Sequence, residues 1–248
     1  MPALEFDEPT FFGGRLLNAE PSPEDPHDFT FDGLAATLPP RFVWNGMGPV
    51  LDQGATGTCG AHGAAGIRHW QEKRDGHGVI PIDVMRLYDL VKTAVDLDPD
   101  PGRVKGTHIR SVLRLLKGTG TPLKGARAPG AGGKIATYWR VPDHATFMKQ
   151  ALLAHGPLLV RCDWDAAWMT LPINRIMRAP TGRWVGGHIF VIFGWDDAVN
   201  GGSWLMRNSW GRWSALGSGN AYMNRVYFAT HRPEAWATTD KAGDPVKR

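Results

Sequence analysis

The run Ile189-Phe190-Val191-Ile192-Phe193-Gly194-Trp195 limits what this chain can become more than any other stretch. It is unbroken in apolar, β-branched and aromatic residues, so both of its faces must leave water, and it reads as a buried strand. It is far too short to cross a bilayer, which takes about 20 apolar residues. Gly186-Gly187-His188 precede it and set an imidazole at the strand's start, with no side chains on the approach. Further strands are expected at Pro157 to Cys162, Ser203 to Arg207 and Ala221 to Arg225, after a helix near His144 to His155. The first half carries a different period. There Ile82, Met85, Tyr88, Leu90, Val91 and Val95 recur at helical intervals, as do Ile109, Val112, Leu113 and Leu116 before Gly118. The expected class is α+β, mainly helical first and mainly β afterwards.

The imidazole has candidate partners elsewhere in the chain. Cys59 lies in Gln53-Gly54-Ala55-Thr56-Gly57-Thr58-Cys59-Gly60-Ala61, a glycine-rich loop running into a helix that bears Ala64, Ala65, Ile67 and Trp70. A thiol is a useful nucleophile only as thiolate, and with an ordinary pKa near 8.5 only about 3 % is ionised at neutral pH. A helix N-terminus favours that anion through its unpaired N–H groups and macrodipole. His188 is the candidate base. Asn208, in Arg207-Asn208-Ser209-Trp210-Gly211, can accept the proton on the far ring nitrogen and fix its tautomer. Trp210 can cover that hydrogen bond, and Gln53 can pair its amide with the Cys59 N–H as an oxyanion hole.

In order and spacing these residues resemble the papain-family cysteine peptidases, as a bacterial or phage-type member lacking a standard propeptide. His188 and Asn208 follow Cys59 by about 130 and 150 residues, the separation expected of that family. The resemblance also takes in Leu38-Pro39-Pro40-Arg41-Phe42-Val43-Trp44 and Lys105-Gly106-Thr107-His108-Ile109-Arg110, and spans roughly 38–230. It implies a papain-like two-lobe fold, with a helical N-terminal lobe at about 45–125 and an antiparallel, β-barrel-like C-terminal lobe at about 126–232. The active-site cleft would lie between the lobes of this 38–232 peptidase domain. The implied activity is that of a cysteine endopeptidase acting through a thioester acyl-enzyme. Gly106 would meet the main chain of the substrate, and Gly187 and Ile189 would flank the pocket beside the base. The departures are Thr56 in place of a disulfide-forming cysteine, Gly60 in place of an aromatic, and an altered stretch from Arg212 to Gly217.

Residues 1–37 are acidic and proline-rich, with Pro21, Pro23, Asp25, Pro26, Asp28 and Asp32, and read as an extended arm that either wraps the surface or lies in or near the cleft. Residues 233–248 read as a C-terminal tail, loose from Thr238 to Arg248. Met1 to Phe12 carries Glu5, Asp7 and Glu8 and lacks the pattern of a secretory signal, so a cytoplasmic location is expected, with release by a non-classical route or lysis. With two cysteines and one of them assigned to chemistry, a reducing compartment suits the chain, and Cys162 reads as a small buried hydrophobe. The net charge of +4 is dispersed, so the expected partner is a protein or peptide substrate, with no nucleic acid and no membrane, and the chain is taken as a monomer. The remaining histidines, His62 and His69 included, fall in no metal-ligand spacing, and no metal or other cofactor is expected. Two other classes stay open: an acyltransferase or amidase using the same chemistry, and a catalytically silent binding module.

Overall fold

A computed structural model describes residues 11–213 and 219–240. The acidic Glu5 to Glu8 segment, most of the altered stretch after Gly211 and the tail beyond Asp240 lie outside the described residues. The chain opens with β1 (Phe11–Phe12) and β2 (Arg15–Leu16), a hairpin turned by Gly13-Gly14 at φ 55° and 79°, the left-handed conformation that tight hairpins require. The short β3 (Arg41–Val43) follows. A helical region then comprises α1 (Cys59–Arg74), α2 (Val84–Leu90), which runs on as a π-helical turn over Val91–Val95, and α3 (Ile109–Gly118). The second half contains β4 (Ile135–Val141), α4 (Ala145–His155), β5 (Leu158–Asp165), β6 (Trp184–Asp196), β7 (Ser203–Arg207), β8 (Asn220–Asn224), α5 (Arg225–Ala229) and β9 (Glu234–Asp240).

The helical first half and the antiparallel sheet are as expected from the sequence. The strands run in the order β4-β9-β5-β6-β7-β8, with β3 also paired to β6, so a strand from the first half completes the sheet of the second. The sheet stays open rather than closing as a barrel. β6 is its spine and separates two cores by simple alternation. Ile189, Val191 and Phe193 pack with the helices, whereas Phe190 and Ile192 join a core rich in tryptophan, including Trp164, Trp168, Trp204 and Trp210.

α1 lies directly on this spine because its contact face has almost no side chains. A Cβ on Gly60 would sit 2.7 Å from the Thr107 methyl, and one on Gly63 would sit 2.7 Å from Leu159. Glycine inside a helix costs about 1 kcal/mol relative to alanine. Here that cost is offset by the close approach that brings the Cys59 end of α1 against β6.

Three sequence expectations change. His188 does not begin its strand but sits well inside β6, which starts at Trp184 because Gly187 and Trp184 also pair with β5. β4 is a strand that the sequence pattern does not announce. The C-terminal tail expected from residue 233 is instead, over Glu234–Asp240, an interior strand between β4 and β5. Threonines and an acidic start disguise β9, and only its pairing on both sides explains why Ala235, Trp236 and Ala237 are buried.

Candidate active site

The glycine-rich loop ends at Thr58, and Cys59 is the first residue of α1, fully buried. Its thiol lies among the backbone N–H groups of Ile189, Gly60 and Cys59 itself, which favour the anion. Burial outweighs them and pushes the thiol up to about 11, so in this state it is protonated. The helix N-terminus thus acts as the sequence suggests, but a stronger opposing effect, invisible in the local sequence, overrides it.

His188 points to the tryptophan side of β6. Its Nε2–H donates to Asn208 Oδ1 at 2.8 Å, and the Ser209 backbone N–H donates to the same oxygen at 2.7 Å, which fixes which way the Asn208 amide faces. With the proton on Nε2, the buried Nδ1 is an acceptor, and it has no hydrogen-bond partner among the described residues. Burial drives the imidazole down to about 4, opposed by the Asn208 hydrogen bond, so the ring is neutral. Trp210 is tilted across it, with centroids 4.8 Å apart, as expected from its position two residues after Asn208. A second indole, Trp164, meets the ring edge-on at 4.9 Å. The sequence pattern misses Trp164 because it ends that strand at Cys162. β5 in fact continues to Asp165, pairing Cys162 with His188. Both Cys59 and Cys162 are free thiols.

Gln53 is clamped to the same loop as Asn208. Its backbone N–H donates to Ser209 O, its Oε1 accepts from Ser209 Oγ at 2.7 Å, and its Nε2 donates to Thr56 O at 2.7 Å. One N–H of its amide is left over. Gly106 and Gly187 face each other across a polypeptide segment. Ile189 turns the other way, toward Gly60 and Gly63 of α1.

That segment is the chain's own arm, lying in the cleft. Gly187 N–H donates to Leu17 O and Ala19 N–H donates to Gly187 O, both at 3.0 Å, an extended pairing beside His188. Any side chain on Gly106 would run into the Asn18 carbonyl. The Asn18 amide donates to Val104 O, Leu17 is fully buried, and Arg15 reaches Asp52 at 2.7 Å and stacks over Trp210. Further along, Asp28 and Asp25 pair with Arg110 and Arg114 on α3, and Phe29 to Phe31 follow β4. Both expectations for residues 1–37 find a counterpart: residues 15–22 lie beside Gly106 and Gly187, in or near the expected cleft, and Asp25 to Phe31 wrap over α3 and β4.

No family model matches this chain. Among curated proteins it resembles Cathepsin J of Mus musculus, 26 % identical over 207 residues that make up 75 % of this chain and 60 % of the relative. The chain thus spans about three fifths of that protein's length. Among solved structures it is similar to xylellain, a cysteine protease from Xylella fastidiosa, with a TM-score of 0.77 at 21 % identity, covering 92 % of this chain and 96 % of that one. Digestive procathepsin L 3 of Tenebrio molitor larval midgut superposes with a TM-score of 0.65 at 16 % identity, covering 86 % of this chain and 73 % of that one. The fold is therefore papain-like.

Proposed function

We propose that this papain-like chain is a cysteine endopeptidase that hydrolyses peptide bonds through a thioester, and that the described state is its latent form. The observation that supports the chemistry is the His188 ring, tied at Nε2 to Asn208 and bare at Nδ1, on the strand against which the Cys59 end of α1 packs. The substrate class follows from the occupant. An extended polypeptide already hydrogen-bonds to Gly187 and abuts Gly106.

Once the arm leaves and water returns, the burial that holds thiol and imidazole neutral is relieved. When a peptide carbonyl then reaches the sulfur, the Cys59 proton passes to His188 Nδ1. The thiolate adds to the peptide carbonyl carbon, and the oxyanion is met by the free Gln53 N–H and the Cys59 backbone N–H. His188 then gives its proton to the leaving amine as the C–N bond breaks, and afterwards takes a proton from the water that cleaves the thioester. Trp210 and Trp164 keep water from the His188–Asn208 bond throughout.

The test is cleavage of a peptide library together with labelling by an epoxysuccinyl thiol reagent, on the full chain with Leu17→Asp to loosen the arm. Cleavage and fast, His188-dependent labelling are expected, and both should vanish in Cys59→Ala. Labelling no faster than a free thiol, without cleavage, would indicate a silent binding module instead. Ligated products on adding amines would indicate an acyltransferase.

A further inference from the structure

Arg161 is a guanidinium with almost no exposed surface, yet it reaches the cleft. It lies on β5 opposite Ile189, one residue from the base, and is close enough to Cys59 to act on the thiol's charge. Its Nε donates to the Ala19 carbonyl of the arm at 3.2 Å, and Nη1 to the Arg232 carbonyl at 3.4 Å. Both bonds are long. Nη2 lies 2.7 Å from Asp163 Oδ1, but that oxygen makes no hydrogen bond in acceptable geometry. A buried guanidinium with its planar set of donors so poorly used is an incomplete site.

Asp163 is shared between Arg161 and Arg232, which approaches at 3.3 Å, so two guanidinium groups answer to one carboxylate. The nearby Glu234, opposite Arg161 across the strands, adds a second carboxylate, but its oxygens accept from the Trp236 indole N–H and the Ser22 backbone N–H. Access is open because Gly187 has no side chain. A Cβ there would stand 2.6 Å from Arg161 Nη2. What the arm presents to the guanidinium is the neutral Ala19 carbonyl.

We propose that Arg161 makes the cleft select extended peptides bearing an acidic side chain where Ala19 now sits. A carboxylate entering there takes the Nε–H that Ala19 O holds weakly, a charge-assisted bond in a water-poor site. The proposal rests on the cleft being a peptide-binding site, but its test is separable from the reading as a peptidase.

Binding is measured by calorimetry on the full chain carrying Leu17→Asp and Cys59→Ala, so that the cleft is accessible and nothing is turned over. The probes are peptides differing only by Glu, Gln, Leu or Lys, the substitution moved along each position. At one position Glu should bind about tenfold tighter than Gln, as expected for an Arg–carboxylate bond. The advantage should vanish in Arg161→Gln and fall as pH drops through the substrate carboxylate's pKa, about 4.3. If Arg161→Gln does not fold, that pH-dependent Glu/Gln ratio decides alone. Equal binding of Glu and Gln at every position, a preference for Lys, or no binding of any peptide overturns the proposal. Selective binding of Glu peptides that the Cys59-bearing chain fails to cleave would sink the peptidase reading and leave this one standing.

Discussion

On the helical wall of the cleft, Cys59 is placed by backbone: a helix start, amide groups around the sulfur, and a glycine face that lets α1 settle on β6. On the sheet wall, His188 is placed by side chains: Asn208 at one nitrogen and two indoles around the ring. A backbone placement cannot be removed by trimming a side chain, whereas a side-chain placement can. Substitutions on the sheet wall should therefore cost activity more steeply. The sharpest break is Asn208→Ala, which frees the ring to rotate and take the wrong tautomer. In the Leu17→Asp background its kcat should fall by about a hundred- to ten-thousandfold, the range a well-positioned base contributes. A fall of less than about tenfold would mean that the indoles alone hold the ring.

Gln53 is the side chain the helical wall adds beside Cys59, and its expected effect is smaller. Gln53→Ala should lower kcat by about a hundred- to a thousandfold with little change in KM, because its free N–H meets charge only as the oxyanion develops. Gln53 is also tied to Ser209 through its own backbone N–H, which the substitution leaves intact. A rise in KM with kcat unchanged would make Gln53 a structural brace and remove it from the oxyanion hole.

The same contrast between local and distant placement explains which features are legible in the sequence. Cys59, His188 and Asn208 sit in local signatures, a glycine-rich loop, a paired glycine before an apolar run, and Asn-Ser-Trp-Gly, each of which carries its own structural context within a few residues. Trp164 has no such context, since its role depends on β5 pairing across to His188. β9 is the same case: Thr238 and Thr239 look like tail residues until β4 closes over them. The Leu17 to Ala19 segment that pairs with Gly187 beside His188 is far away in sequence and recognisable only as an irregular, proline-rich arm. Local chemistry is legible, and long-range pairing is not.

Both walls are joined by the arm, and Leu17 is its apolar anchor, fully buried. An aspartate there would have to be desolvated in an apolar site, a cost of several kcal/mol that release of the arm avoids. Leu17→Asp should speed alkylation of Cys59 by about ten- to a hundredfold at neutral pH. Unchanged alkylation would show that Arg15, Asp25 and Asp28 hold the arm without help from its apolar contact.

The effect of pH is the most gradual, and its sign follows from Cys59 and His188. With the arm docked, burial brings His188 from an ordinary 6.5 down to about 4, so the docked state binds fewer protons than the released one across that interval. Falling pH therefore favours release, by up to about tenfold per pH unit between those two values. Asp52 adds to the trend. Burial raises its carboxyl, but the Gly54 N–H and Arg15 outweigh this and hold it below its usual value, so protonation weakens its grip on Arg15. On the alkaline side, burial raises Cys59 from 9.0 to about 11, the released thiol ionises first, and docking weakens again over that interval. The arm should be held most firmly between those limits, from about pH 6.5 to 9. The amide resonances of Ala19 and Gly187 report the docked fraction directly. A docked fraction that stays flat from neutral pH down to about 4.5 would show that His188 is not relieved by release, and that its burial belongs to the tryptophan wall rather than to the arm.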